Sequence, residues 1–149
     1  MTLAQEFDQG ASLVFGGSGG IGAAIATRIA QGGSDVAITY RSNRERAEAA
    51  AATIAELGVA CTIHQVDIAD KAQIVQAITE AAQRHKRLHS VVVAAGSDIK
   101  QPFLADVTDA QWEEVIAGDL NGFFRIVKNI IPHFRAHGGG SLVHISSAG

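Results

Sequence analysis

The sequence predicts an α/β fold, in which helices cover both faces of a parallel β-sheet. Short apolar segments alternate with helical segments along the whole chain of 149 residues. One apolar segment contains Val91, Val92 and Val93 in a row, without the polar alternation of a half-exposed strand. Such β-branched runs are typical of strands buried on both faces. Strands that alternate with helices favour a single parallel sheet with right-handed crossovers.

The individual elements follow from apolar periodicity and from helix breakers. The strands are predicted at residues 10–15, 36–40, 60–66, 88–94 and 141–146. The helices are predicted at residues 20–30, 43–57, 71–84, from 108 onwards, and at 120–137. The expected strand order is 3-2-1-4-5, a doubly wound sheet whose ligand lies at the carboxyl ends of the strands, beside strands one and four.

Several helices carry signals at their ends or along one face. Asp70 suits an N-cap, and Thr108 and Gln111 have the spacing of a capping box. Pro132 lies inside the last helix and is expected to bend or interrupt it. The first helix has isoleucines spaced four apart on one face, namely Ile21, Ile25 and Ile29.

A glycine-rich turn joins the first strand to the first helix, from Gly16 through Ser18 to Gly22. A strand, a glycine turn and a helix in this order form a site that receives phosphate, because the helix N-terminus carries a partial positive charge. Gly16 allows the tight turn, Gly20 allows close approach to a pyrophosphate, and Gly22 allows tight packing of the helix. The alternative interpretation is a flexible surface loop.

Composition limits the classes of function. Apolar residues form 47% of the chain, which favours a folded domain with a core. The net charge of −3 argues against a general nucleic-acid binder. No apolar run approaches the roughly 20 residues that cross a membrane. The polar N-terminus and the single cysteine, Cys61, predict a cytoplasmic protein without a signal peptide or an internal disulfide.

The spacing Gly16-x-x-x-Gly20-x-Gly22, with Ile21 between the last two glycines, resembles that of the short-chain dehydrogenase/reductase family, including its 3-oxoacyl-(acyl carrier protein) reductases. The resemblance implies a Rossmann-like fold and hydride transfer between a nicotinamide cofactor and a small carbonyl or alcohol substrate. It also implies cofactor contacts at Gly16, Ser18, Gly20, Ile21 and Gly22.

The residues that follow the second strand bear on the choice of cofactor. An acidic residue there favours NAD, and a basic residue favours the 2′-phosphate of NADP. This strand ends in Tyr40-Arg41-Ser42-Asn43, with no acid. Arg41 can hold a phosphate in a fork, and Ser42 and Asn43 can donate beside it. The sequence therefore favours NADP over NAD; the alternative is that Arg41 is an ordinary solvated charge.

Two further stretches resemble cofactor contacts of the family. Asp67, followed by Ile68, matches an aspartate that hydrogen-bonds the adenine amino group; the alternative is a turn residue before a helix. Ala94, Ala95 and Gly96 would let the backbone lie close to the cofactor ribose. Together with Val93 they align with the family's Asn-Asn-Ala-Gly stretch, but only Ala95 and Gly96 match it, because Val93 and Ala94 replace its two asparagines.

The resemblance places two catalytic positions. The family's catalytic asparagine, which holds a helix distortion and an ordered water, falls on Asp119; its serine, which polarises the substrate carbonyl, falls on Ser147. Each residue has a purely structural alternative, in a helix or in a strand-end turn. The family's Tyr-x-x-x-Lys pair is missing, since Tyr40 is the only tyrosine and Arg44 follows it by four residues. We therefore expect residues 1–149 to form one incomplete dinucleotide-binding domain that is inactive alone.

Strand five is expected at the edge of the sheet, with Leu142, Val143 and Ile145 unprotected. This predicts a homo-oligomer or another chain that pairs with the edge. His133 and His137 are four apart on a helix but lack a third ligand, so surface roles are favoured and no metal is expected. The remaining histidines form no recognisable constellation. A dinucleotide-binding module without chemistry and an interaction protein remain the alternatives to an oxidoreductase.

Overall fold

The computed structural model describes residues 7, 9–96 and 102–146 of the chain. These residues form a five-stranded parallel sheet in the order β3-β2-β1-β4-β5, as the sequence predicts. The strands are β1 (Ala11–Phe15), β2 (Asp35–Tyr40), β3 (Cys61–Gln65), β4 (Leu88–Val93) and β5 (Ser141–His144). The helices are α1 (Gly20–Gln31), α2 (Arg44–Ala55), α3 (Lys71–His85), α4 (Asp109–Val115) and α5 (Phe123–Ala136). A π-helix (Ile116–Gly122) joins α4 to α5.

The core lies on both faces of the sheet, because successive residues of a strand point to opposite sides. On one face, Val14 and Ile38 pack in a cluster with residues of α1 and α2. On the other face, Leu13 and Phe15 pack in a cluster with residues of α3 and α5. All residues of β1 are buried. The doubly buried strands that the sequence predicts are therefore confirmed.

The predicted helix caps are present. The Asp70 side chain accepts hydrogen bonds from the backbone N–H groups of Ala72 and Gln73, at 2.8 and 3.3 Å. Thr108 and Gln111 form a reciprocal capping box at the start of α4. Each cap satisfies N–H groups that have no partner within the helix, so short polar residues fix where these helices begin.

The packed face of α1 differs from the expectation. Its buried residues are Gly22, Ala26 and Ala30, whereas Ile21 is 63% exposed. Ile25 and Ile29 pack only partly against the core. Small residues allow the helix axis to approach the sheet closely, and the longer isoleucines are then displaced to the flank.

Pro132 does not interrupt the last helix. The helix α5 runs through it from Phe123 to Ala136. Proline removes one hydrogen bond to the carbonyl four residues earlier, that of Lys128. Pro132 is exposed, so this carbonyl lies on the side of the helix where water can replace the lost donor. The irregular turn lies earlier, at the π-helix.

Strand β5 has a hydrogen-bonded neighbour on one side within the described part of the chain, namely β4. Leu142, Val143 and Ile145 are 37%, 47% and 38% exposed, which confirms the unprotected apolar edge. Among the described residues, no helix combines the length and the apolar character that a membrane span requires.

Candidate functional site

The glycine turn between β1 and α1 lies against the end of β4. Gly16 has a φ of +77°, and a Cβ there would lie 2.9 Å from the backbone nitrogen of Ala95. A Cβ on Gly22 would collide with the carbonyl oxygen of Gly16. Both positions therefore require glycine: Gly16 because its φ is positive, and Gly22 because the backbone of Gly16 leaves no room for a Cβ. A Cβ on Gly20 would meet no atom within 4 Å, so this part of the turn is open.

Backbone hydrogen bonds hold the shape of the turn. The N–H of Gly16 donates to the Thr39 hydroxyl at 3.0 Å, that of Gly17 to Val14 O at 3.2 Å, and that of Gly19 to Gly16 O at 2.9 Å. The buried side chain of Thr39 in β2 thus fixes the first amide. Sequence reasoning missed this role, because a threonine in a strand has no distinctive pattern.

The N-terminus of α1 has the properties of an anion site. Its N-cap is Gly19, which provides no side-chain cap, and its first turn contains no acidic residue. The geometry of any α-helix leaves the first N–H groups, here those of Gly20, Ile21 and Gly22, without partners inside the helix. These donors and the helix dipole favour a phosphate at this end.

A cleft of about 330 Å³ opens at the carboxyl ends of the strands. Most of the predicted cofactor residues line it, namely Gly16, Ser18, Tyr40, Arg41, Ser42, Asn43, Asp67, Ile68, Ala94, Ala95 and Gly96. Gly20, Ile21 and Gly22 form the first turn of α1 and are not among the lining residues. The other lining residues are Gly19, Thr39, Arg46, Val66, Ala69, Glu114 and Gly118.

The end of the cleft near β2 is basic. Arg41 lines it beside Arg46, whose position in the first turn of α2 brings it to the cleft as well as to the helix surface. The Asn43 side-chain oxygen accepts from the Arg46 N–H at 2.9 Å and so caps α2. Arg44 instead pairs with Glu48 at 2.7 Å, and this hydrogen bond raises the pKa of the Arg44 guanidinium. Among the described residues, Arg41 and Arg46 are therefore the cations that line the cleft.

Hydrogen bonds from neighbouring elements hold both sides of this basic end. The Gln65 side chain donates to the carbonyl oxygen of Arg41 at 3.0 Å. Asp67 lines the cleft and also forms a turn, since its carboxylate accepts from the Ala69 N–H at 2.9 Å. The Arg125 guanidinium donates to Ala69 O at 2.5 Å, which ties this turn to α5. The turn role that the sequence left open for Asp67 is thus present, and it does not remove the residue from the cleft.

The opposite end of the cleft is formed by the π-helix and the end of β4. Asp119 lies within the π-helix, and its Oδ1 is 3.5 Å from the position of a Cβ built on Gly96. A Cβ on Gly122 would lie 2.7 Å from Ile68 O, so the π-helix also packs closely on the loop after β3. The helix distortion that the resemblance implies at position 119 is therefore present. Ser147 lies outside the described residues.

Three histidines have structural partners that the sequence did not indicate. Nε2 of His133 accepts from the Leu88 N–H at 2.9 Å. The Thr62 hydroxyl lies 3.0 Å from Nε2 of both His64 and His85. The described residues contain no group of three potential metal ligands. Burial lowers the pKa of His85 and of His133. The contacts of His85 with Thr62 and of His133 with Leu88 join residues distant in sequence, so no local pattern could reveal them.

Cys61 is partly buried. Burial, and then the charge of Asp35, raises the pKa of its thiol to about 11. A thiol is a weak nucleophile in its protonated form. Cys61 is therefore a packing residue and not a reactive one.

The family model for the short chain dehydrogenases matches residues 11–149. The chain belongs to the short-chain dehydrogenase family. It is similar to the 3-oxoacyl-[acyl-carrier-protein] reductase FabG of Aggregatibacter actinomycetemcomitans, with 35% identity over 136 residues, which cover 91% of this chain and 56% of that protein. A short-chain type dehydrogenase/reductase of Picea abies is 33% identical over 144 residues, which cover 92% of this chain and 53% of that protein.

Solved structures of this oxidoreductase family share the fold. A short chain dehydrogenase from Burkholderia cenocepacia in complex with NADP matches with a TM-score of 0.86 at 32% identity, over 94% of this chain and 56% of that one. Carveol dehydrogenase from Mycobacterium avium in complex with NAD matches with a TM-score of 0.89 at 26% identity, over 97% and 56%. The short-chain dehydrogenase chain described here thus spans about half the length of its relatives.

Proposed function

We propose that this chain binds a nicotinamide dinucleotide, with NADP preferred over NAD, as the cofactor-binding part of an oxidoreductase. The observation that carries the proposal is one cleft lined both by Gly19, the N-cap of α1 without a side-chain cap, and by two arginines. The amides of α1 would receive the diphosphate. Arg41, supported by Gln65 at its backbone, and Arg46 would receive the 2′-phosphate.

The residues fit such a cofactor along the whole cleft. The open space at Gly20 admits a diphosphate close to the backbone. Asp67 and Ile68 line the adenosine side, where the family resemblance expects the adenine. Ala94, Ala95 and Gly96 leave room for a ribose, because alanine has a small side chain and glycine has none. When bound, the nicotinamide supplies hydride transfer to or from a small carbonyl or alcohol.

The chemical step requires groups that position the substrate and move a proton. In our proposal the Ser147 hydroxyl polarises the substrate oxygen, and Asp119 helps to hold the helix distortion, the π-helix, that borders the site. Tyr40, the single tyrosine of these 149 residues, lies at the opposite, basic end of the cleft. We therefore expect the 149-residue chain to bind cofactor without turnover, and turnover to need a proton donor from further residues.

Binding of reduced cofactors to the 149-residue chain tests the proposal. NADPH fluorescence should change on titration and NADH should bind more weakly. The variant Arg41→Ala should lose about 10- to 100-fold in affinity for NADPH, because a hydrogen bond to a charged group contributes about 1.5–3 kcal/mol. Its affinity for NADH should change little.

Arg44→Ala is the matched control, since this arginine pairs with Glu48 and is not among the cleft-lining residues. It should retain the affinity of the unaltered chain for NADPH. If folded chain binds neither NADPH nor NADH, the proposal is wrong. If Arg41→Ala and Arg44→Ala weaken NADPH equally, dinucleotide binding stands but the role of Arg41 does not.

A further inference from the structure

The glycine turn is attached to β2 as well as to β1, the strand that it follows. The ladder between β1 and β2 ends at the pair of Val14 and Ile38. One step further along, the Gly16 N–H donates to Oγ1 of Thr39 at 3.0 Å. Beside this bond, a Cβ on Gly17 would lie 2.6 Å from the Cβ of Ile38, so the turn rests directly on β2. The position of β2 therefore determines where the turn lies.

The hydroxyl of Thr39 is the polar part of this attachment. Thr39 is 2% exposed, and it lines the cleft. A threonine hydroxyl can accept a hydrogen bond, whereas valine has the same shape and no acceptor. An N–H group that loses its acceptor in a partly buried place costs free energy unless it moves to a new partner. The Gly16 amide therefore depends on the oxygen of Thr39 and not on the shape of its side chain.

The two ends of this hydrogen bond lead to the two anion-binding parts of the proposed site. Arg41 follows Thr39 by two residues and lines the cleft, and its carbonyl oxygen accepts from the Gln65 side chain at 3.0 Å. Gly16 leads through the turn to the first N–H groups of α1. The bond between Gly16 and Thr39 thus directly joins the segment that presents the amides to the strand that presents the guanidinium.

A ligand that contacts two groups at once is sensitive to the distance between them. It gains from both contacts only when the separation of the groups matches its own, and a displacement of about 1 Å is enough to weaken such binding. A ligand that contacts one of the groups is not affected by their separation. The spacing of two sites is therefore visible in the difference between ligands that reach both and ligands that reach one.

We propose that Thr39 is a positioning residue that sets the distance between the diphosphate site at α1 and the 2′-phosphate site at Arg41. The inference rests on the proposed function, because it names what aligns the two parts of that site. The amides of α1 are held by their helix, and Arg41 is held by Gln65 at its backbone. Loss of the hydroxyl therefore displaces the two parts relative to each other and leaves each of them intact.

The experiment uses three nucleotides that share adenosine and differ in their phosphates. Adenosine 5′-monophosphate reaches α1, adenosine 2′-monophosphate reaches Arg41, and adenosine 2′,5′-bisphosphate reaches both. Dissociation constants are measured by NMR titration for the unaltered 149-residue chain and for Thr39→Val. The variant should bind the bisphosphate, and NADPH, about three- to tenfold more weakly, because a single hydrogen bond and the alignment it provides are lost. The two monophosphates should bind with little change.

Two variants serve as controls. Thr39→Ser keeps the hydroxyl and should retain the affinity of the unaltered chain for the bisphosphate. Thr79→Val makes the same change on α3, where the exposed hydroxyl donates to Val75 O at 2.8 Å and is remote from the cleft lining. It should leave the binding of all three nucleotides unchanged.

An unchanged affinity of folded Thr39→Val for the bisphosphate overturns the inference and leaves the proposed function intact. Equal weakening of all three nucleotides also overturns it, since this indicates a general structural role. If Thr39→Val does not fold, Thr39→Ser and Thr39→Ala decide the question, because they differ from each other only in the hydroxyl. Weaker binding of the bisphosphate by Thr39→Ala alone supports the inference, and equal affinities overturn it. Failure of the unaltered, folded chain to bind NADPH or the bisphosphate overturns the proposed function itself, and this inference with it.

Discussion

His85 shows how a single buried residue couples stability to pH. Its Nε2 lies 3.0 Å from the Thr62 hydroxyl, and its Nδ1 lies 3.4 Å from the Asp35 carboxylate. Burial lowers the pKa of His85 below 6.5, more strongly than the nearby Asp35 raises it, and the charges of Arg84 and His64 lower it further. The unfolded chain therefore takes up this proton at higher pH than the folded chain.

The free energy of unfolding should consequently rise with pH up to about 6.5, and fall as the pH drops below that value. The variant His85→Gln keeps a hydrogen-bonding side chain without a titrating group. Its stability should change less between about pH 5 and pH 7.5 than that of the unaltered chain. Urea unfolding at several pH values measures both slopes.

His133 also has a pKa lowered by burial, so His85→Gln should retain part of the slope. Its pKa is further lowered by the charges of His137 and Arg87. The variant His133→Gln should reduce the slope independently. Equal slopes in the unaltered chain and His85→Gln would contradict the assignment of this proton to His85.

At the residue scale, sequence reasoning identified the cleft residues that lie in short stretches directly after predicted strands. Arg41 and Asp67 follow predicted strands, and the ends of parallel strands must meet at one edge. Arg46 was assigned to the helix surface in preference to a basic rim of the cleft, and Glu114 was not predicted as a cleft residue, because helix periodicity marks both as surface. The partners of His85 come from β2 and β3, and such contacts appear only once the sheet is assembled.

At the scale of elements, the junction between the glycine turn and α1 depends on two glycines in different ways. Gly22 packs directly on the carbonyl of Gly16, whereas nothing lies within 4 Å of a Cβ at Gly20. Both glycines lie in the first turn of α1, so substitutions at the two positions form a matched pair that isolates the effect of close packing.

Gly22→Ala should lower the free energy of unfolding by about 1–3 kcal/mol, because the added methyl forces the helix away from the turn. Gly20→Ala should be neutral or stabilising by up to about 1 kcal/mol, because alanine favours helix more than glycine does. Urea denaturation midpoints compare the two variants. Equal losses in both would show that glycine flexibility, and not the contact with Gly16, sets the requirement.

Most elements could be predicted, but the details of helices could not. The strands lie within one or two residues of their predicted ends, because apolar runs and glycine breaks mark them. The π-helix from Ile116 to Gly122 was not predicted from periodicity, since one extra residue per turn blurs the pattern. The buried face of α1 was assigned to isoleucines, although close packing against the turn selects Gly22, Ala26 and Ala30.

At the scale of the whole molecule, the sheet ends in two different edges. One edge is β3, which α2 and α3 both contact. The other is β5, whose residues are all exposed and include Leu142 and Val143. Exposed apolar edge strands favour pairing with further strands. We therefore expect association of this chain, with itself or with another chain, through β5.

Val143→Lys should reduce self-association of the 149-residue chain at high concentration, because a charged side chain on an edge strand opposes pairing. Val75→Lys, on the exposed side of α3, is the control and should leave association unchanged. Sedimentation velocity over a range of concentrations measures both. A monomer at all concentrations in the unaltered chain would contradict the expected pairing.

The order of the sheet could be predicted from the alternation of strands and helices together with the usual order of a doubly wound sheet, since right-handed crossovers leave few arrangements. Which exposed surfaces bind a partner could not be predicted in the same way, because association depends on contacts outside the chain. The exposed apolar side chains of Trp112, Leu120 and Phe124 illustrate this, since helix periodicity does not separate a face for a partner from a face for the core.

The hydrogen bonds inside the glycine turn bear on the kinetics of nucleotide capture. The amides of Gly16, Gly17 and Gly19 are each engaged by atoms of the protein itself. These hydrogen bonds already hold the shape of the loop, so in the proposed function a diphosphate would bind with little further loss of loop entropy. Capture should then be governed by diffusional encounter and electrostatic attraction, with no slow rearrangement of this loop afterwards.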